Sequence, residues 1–242
     1  PYRRQRQMCI RDSFRREFKP DFSVMKPHDR SSLLRRIILP LLLVFTLTTA
    51  HADEKSAKLI RTLSDKIASG KAYEILFTAS MENEFSDVAG RIVVSGDRYY
   101  VHVNDYELFC DGKLLYTYNS NEDEVTIEKP DPNDHSLLSN PSRFFKMDEQ
   151  DFDNAYKGSV AVGGRTAERV ELTPKIKGAG YRSIRLLLDP QSGLPIGIDY
   201  DTDGAGTVEI RISKITPGIA VAPDQFTFDK KKYKDVEVID FR

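Results

Sequence analysis

Residues 91–103, RIVVSGDRYYVHV, decide the fold. Two runs rich in β-branched and aromatic residues flank Gly96-Asp97, a two-residue hairpin turn, so the chain folds back on itself as an antiparallel pair. Outward from this hairpin the same pattern repeats in AYEILFTASME (72–82), YELFC (106–110), LLYTYN (114–119) and EVTIE (124–128), with turns at Asp111-Gly112 and Asn119-Ser120-Asn121. Between 130 and 150 it breaks into a polar, Pro-punctuated stretch holding Leu137, Leu138, Phe144 and Phe145, which predicts a short helix and loop. Strands resume at 155–162, 165–173, 181–189, 194–201 and 206–215. Residues 54–69, EKSAKLIRTLSDKIAS, place Ile60, Leu63 and Ile67 on one helical face with Leu59 beside them. The prediction is a mainly β (α+β) domain of about eleven short-linked strands, a large curved antiparallel sheet or open barrel, with two helical segments to cover one face.

Several of these strands are apolar on both faces. In YEILFTASM, Tyr73, Ile75, Phe77, Ala79 and Met81 share one side while Leu76 lies on the other, whereas a sheet wetted on one side alternates more cleanly. Helices packed on a filled core explain this pattern, and so does a concave face that encloses a cavity for an apolar ligand.

Residues 37–47, IILPLLLVFTL, follow Arg35-Arg36 and precede Ala50-His51-Ala52. A basic flank, a short apolar run and a small-x-small site are the parts of a secretory signal peptide, and eleven residues cannot span a bilayer core of about 30 Å. The reading is residues 1–24 as a non-native or upstream segment, 25–52 as a signal peptide cleaved after Ala52, and 53–242 as one domain; a buried helix is the alternative for the apolar run. Residues 1–52 hold 11 of the 36 Lys and Arg but 4 of the 37 Asp and Glu, so residues 53–242 carry 25 against 33, a net charge of −8. That balance argues against a nucleic-acid binder and against simple adhesion to anionic lipid. Cys110 is the one cysteine of this part, which rules out an internal disulfide. His102 and His135 have no Cys or second His at metal-ligand spacing, and no nucleophile elbow, phosphate loop or zinc-protease motif occurs, so neither an enzyme nor a metal or cofactor site is expected.

At FCDGKLLYTYNSNEDEVTI (109–127) the sequence resembles LolA, the periplasmic carrier of outer-membrane lipoproteins, through the Asp111-Gly112-Lys113 turn, the aromatic strand Leu115-Tyr116 with Tyr118-Asn119, and Val125-Thr126. ILFTAS (75–80), GRIVVSGDRYYV (90–101), VELTPK (170–175) and DQFTFDKKKYKDVEVIDFR (224–242) follow in order, the last being similar to LolA-like chaperones of the Bacteroidetes type. The resemblance implies an incomplete antiparallel β-barrel whose hydrophobic concave face receives acyl chains beneath a helical lid. It implies a periplasmic monomer with acylated lipoproteins as cargo, an inner-membrane ABC-type releasing complex upstream and an outer-membrane acceptor downstream. A general lipid or isoprenoid carrier and a periplasmic regulatory sensor are the alternatives within the same fold.

Strand parity and this resemblance together select the cavity residues Leu59, Leu63, Ile67, Tyr73, Ile75, Phe77, Ile92, Val94, Tyr100, Leu137 and Leu138. The family's lid-fastening Arg falls at Gly96, so either Arg98, two residues on, is the lid contact or the lid is held differently. After Ala52 comes Asp53 where the lipid-anchored receptor of the same fold has a Cys, so the soluble carrier is expected. If the empty cavity is wet, Phe77→Glu should harm loading more than folding.

Overall fold

A computed structural model describes residues 49–242, apart from 70, 83, 133, 135, 147–150, 177, 178, 205, 223 and 234. The segment before 49, including most of the expected signal peptide, lies outside the described residues. Helix α1 (Thr49–Ser69) begins earlier than the periodicity predicts and takes in residues 50–52, the expected cleavage site. Its buried stripe is Ser56, Leu63 and Ile67, with Leu59 and Ile60 half-buried beside them, spacings of three and four that keep one face turned to the sheet.

The strands are β1 (Tyr73–Met81), β2 (Phe85–Ser95), β3 (Arg98–Val103), β4 (Tyr106–Cys110), β5 (Leu115–Asn119), β6 (Glu124–Glu128), β7 (Phe152–Val162), β8 (Arg165–Pro174), β9 (Tyr181–Leu188), β10 (Pro195–Thr202), β11 (Thr207–Pro217) and β12 (Glu237–Asp240). A four-residue helix α2 (Pro141–Phe144) and a 3-10 turn (Lys230–Lys232) complete the described elements. The strands form one sheet in the order β12-β6-β5-β4-β3-β2-β1-β11-β10-β9-β8-β7, open at β12 and β7. Two meanders, β1–β6 and β7–β11, are joined where β1 pairs with β11. The expected open barrel of eleven strands is therefore found, with one strand more and one exception to its antiparallel pairing: β12 joins β6 in parallel.

Hairpin β2–β3 turns on Gly96, whose φ of +64° suits the first central position of the two-residue connection. The pairing that follows sets Ile92 opposite Val101, Val93 opposite Tyr100 and Val94 opposite Tyr99. On β1, Tyr73, Ile75, Phe77, Ala79 and Met81 are buried and the intervening residues only half so. All five belong, with Ile92, Val94, Tyr99 and Val101, to one apolar cluster that runs across the sheet to Ile184, Leu186, Ile198 and Ile210. This inner face is the main core, and each such side chain contributes about 1.5–3 kcal/mol by burial, more than a typical hydrogen bond.

The outer face is built differently. Residues 218–242 form a strap over it, with Phe226 and Val236 buried. Phe228 stacks on Tyr116 and Tyr233 at centroid distances of 6.1 and 4.7 Å, and Glu107 accepts hydrogen bonds from Tyr100 Oη at 2.7 Å and Tyr233 Oη at 2.5 Å. The strap ends as β12.

Gly90 shows how closely the inner face is filled. It pairs with Phe77, and a Cβ built on it would lie 2.2 Å from Phe77 Cζ, so the ring occupies the space a side chain would need. In a strand interior alanine is ordinarily better than glycine by about 0.5–1 kcal/mol. Here Gly90→Ala is expected to destabilise the domain by about 1–3 kcal/mol, the usual cost of overpacking, read from the urea midpoint. A rise in the midpoint would show that the Phe77 ring can move aside.

Candidate functional site

The inner face is covered by α1 and by residues 130–146. Asp134 organises the second of these: its carboxylate accepts from Ser136 N at 2.8 Å and from Ser139 Oγ at 2.6 Å, drawing 134–139 into a compact turn. Asn140 then stands at the N-cap position of α2, with Pro141 in the first turn, where its missing N–H is harmless. The result turns Leu137, Phe144 and Phe145 inward, at 0, 0 and 5% exposure. Phe145 meets the Tyr73 ring edge-on at 5.7 Å, and Phe144 lies 6.3 Å from that of Tyr200. What covers the face also fills it.

Among the described residues, polar contacts fasten this cover. Tyr99 Oη donates to the carbonyl of Ser139 at 2.9 Å, Tyr200 Oη accepts from the N–H of Leu137 at 2.8 Å, and Ser64 Oγ of α1 donates to the carbonyl of Phe145 at 3.3 Å. Lys146 pairs with Asp97 in the β2–β3 turn and holds that carboxyl below its ordinary value, but both groups are exposed and such a pair contributes little. The two phenols are different. Burial above all holds both well above the ordinary tyrosine pKa, so each keeps its proton and hydrogen-bonding role throughout the physiological pH range.

Their placement also measures the sheet's curvature. Tyr99 on β3 and Tyr200 on β10 are four strand steps apart, about 19 Å on a flat sheet with side chains standing perpendicular to it. Yet the atoms they bind, Leu137 N and Ser139 O, are no more than about 10 Å apart even along an extended chain. The sheet must curl for both to reach, and the inner face is concave.

Of the residues selected from the sequence, Leu63, Ile67, Tyr73, Ile75, Phe77, Ile92, Val94 and Leu137 are buried in this one cluster, with Leu59 and Leu138 half-buried against it. Tyr100 is not with them. It pairs with Val93 and Phe109 and lies on the outer face, its ring 5.0 Å from Phe109, while its neighbour Tyr99 turns inward. A two-residue turn at 96–97 fixes this pairing, so the hairpin itself carries the signal. Arg98 is on the outer face as well, its guanidinium 5.1 Å from the Phe226 ring, and Gly96 has no side chain to fasten anything; Tyr99, Tyr200 and Ser64 supply the partly or fully buried hydrogen bonds that fasten the cover. A cleft of about 730 Å³ opens elsewhere, at the β1–β2 turn, lined by Met81 and Phe85 but also by Glu82, Glu84 and Glu209, a poor seat for hydrocarbon. Among the described residues no group of three or more His, Cys, Asp and Glu could hold a metal ion, and no helix is long and apolar enough to cross a membrane.

A family model described as the outer membrane lipoprotein carrier protein LolA matches residues 100–229, more than half of the chain. The chain belongs to the LolA family. The match runs from β3 through the cover segment to the strap, and so takes in the cover and Tyr200, while Tyr99 stands one residue before it. Among solved structures, that of an uncharacterized conserved protein from Thermus thermophilus superposes with a TM-score of 0.53 at 9% identity, covering 76% of this chain and 98% of that one. That likeness shows the fold alone. A putative outer membrane lipoprotein-sorting protein domain from Vibrio parahaemolyticus gives a TM-score of 0.45 at 12% identity, covering 75% of this chain and 99% of that one. The lipoprotein LppX of Mycobacterium tuberculosis gives 0.44 at 10% identity, with 70% and 100% covered. Comparison with curated protein sequences finds no match.

Proposed function

We propose that this LolA-family protein is a periplasmic chaperone that carries acylated lipoproteins from the inner to the outer membrane, holding their acyl chains against the inner face of the sheet. It is a carrier and not an enzyme. The observation that supports this most is the continuous apolar inner face, sealed by α1 and residues 130–146.

Energetics require such a face. An acyl chain of about 15 methylenes at about 0.8 kcal/mol each costs roughly 12 kcal/mol when exposed to water, and a lipoprotein with three chains about three times that. A carrier must offer comparable apolar surface, which here means displacing the cover side chains and using what they now occupy. Extraction of such a lipoprotein from the inner membrane therefore needs an energy-coupled partner, an ABC-type complex there, and delivery needs an acceptor in the outer membrane, whereas a lipopeptide already dispersed in water needs neither.

Mixing the protein with a triacylated lipopeptide, below the concentration at which the peptide aggregates alone, should yield a soluble one-to-one complex on gel filtration. Failure of the peptide to co-elute, with the protein folded, would refute the carrier reading.

A further inference from the structure

We propose that Glu124, at the β6–β12 rim of the inner face, seats the primary ammonium group of an amphiphile whose apolar part lies on that face. This rests on the reading of the inner face as the binding face and adds to it a polar group for the ligand's cationic end.

Three observations carry the inference. First, register places Glu124 on the inner side: the row of cross-strand partners runs from Glu124 through Asn119, Tyr106, Val103 and Gly90 to the buried Phe77. Second, Glu124 is 9% exposed, yet among the described residues its carboxylate has no hydrogen-bond or ion-pair partner. An unpaired carboxylate drawn out of water is costly. Third, the charged groups that act on it are acids. Glu237 is its partner on β12 and Glu122 stands in the β5–β6 turn; burial above all, then these two, holds the Glu124 carboxyl above its ordinary pKa. Like charges set opposite one another weaken a strand pair, so nothing in the sheet itself accounts for this cluster.

A primary ammonium answers each feature. It donates hydrogen bonds to the Glu124 carboxylate, and Glu122 and Glu237 then attract it instead of repelling a neighbour. A metal ion fits less well, because among the described residues no three such groups are placed to hold one. From Glu124 the row reaches Tyr106 in two strand spacings, about 10 Å, and there Tyr106 and Val103 pack against the apolar cluster. A ligand with its ammonium at the rim therefore has its tail on the face. On the carrier reading the ammonium has two sources, the acylated peptide itself or the headgroup of an aminophospholipid.

The test uses the full chain and Glu124→Gln, with Glu84→Gln in the β1–β2 cleft as the control. Affinities for decylamine, decanol and decanoate, which share one tail, are measured by titration calorimetry at neutral pH. The wild type is expected to bind decylamine about tenfold more tightly than decanol, and decanoate least. Glu124→Gln should lose the advantage of the amine, keep decanol binding and unfold at no lower urea concentration, since one of three like charges is gone. Glu84→Gln should keep the wild-type ratio. As the pH falls, the wild-type advantage should fade from above the ordinary carboxylate range, as Glu124 takes up its proton. Equal binding of amine and alcohol by the wild type would overturn the seat and leave the binding-face reading standing, and an equal loss in Glu84→Gln would mark general attraction to an acidic protein and overturn the seat too. Glu124-dependent binding of the amine without any binding of decanol would keep the seat and overturn the apolar face; binding of neither would overturn both. Two further pairs tell the sources apart: a diacylated lipopeptide with a free α-ammonium against its N-acylated form, and lysophosphatidylethanolamine against lysophosphatidylglycerol. The pair whose ratio depends on Glu124 names the source, and independence of Glu124 in both would overturn the proposal.

Discussion

Phe77→Glu is expected to abolish the cooperative unfolding transition of the domain. Phe77 is 3% exposed, lies over Gly90 on the neighbouring strand, and belongs to the cluster shared with Ile75, Ile92 and Ile210. Truncating a buried phenylalanine costs about 3–5 kcal/mol, and an unpaired carboxylate in its place costs several more or takes up a proton. Against a total stability of about 5–15 kcal/mol, that sum leaves little or nothing. The sequence alone suggests the reverse order, loading lost before folding, because an empty cavity would be wet. The cover side chains fill the face instead and leave no room for water to solvate the carboxylate. Urea unfolding followed by far-UV circular dichroism checks this, and a midpoint within a few tenths molar of wild type would show that the inner face opens to water around Phe77.

Phe144→Ala is expected to move two readouts in opposite directions. Phe144 is fully buried between Phe145 and Tyr200, so its truncation should cost about 3–4 kcal/mol of stability in the closed form. The same truncation removes part of what competes with ligand, so affinity for the triacylated lipopeptide should rise by about tenfold or more as the open fraction grows. A residue that belonged to the binding surface itself would lose stability and affinity together. Thermal unfolding and lipopeptide titration on one preparation separate the two cases.

Much of the fold is legible in the chain because its local signals agree. Hairpin turns such as Gly96-Asp97 are followed by strands of the right length, and β1 alternates between buried and half-buried residues as its sequence alternates. The twelfth strand is not legible. EVID (237–240) is four residues long, carries two acids, and is paired in parallel with a strand more than a hundred residues earlier, so nothing local marks it. Tyr100 is misplaced for a different reason: the two-residue turn sets residue 93 opposite 100 and 94 opposite 99, so the family resemblance points inward where the pairing points outward, and the pairing decides. Arg98 shows the same parity, since it shares the outer face with Tyr100. For the cover, sequence shows that Leu137, Phe144 and Phe145 are apolar in a polar stretch. That they fill the concavity, and that tyrosines from β3 and β10 pin them, depends on contacts 40 and 63 residues apart in sequence, which no window of the chain contains.

On the carrier reading, acyl chains lie on the inner face once the cover is displaced. Photolabelling with a triacylated lipopeptide carrying a diazirine in one acyl chain, followed by peptide mapping, tests it directly. Label is expected on β1, β2 and β10, at Ile75, Ile92 and Ile198. Label confined to the outer face, at Tyr116, Phe228 or Tyr233, would contradict it.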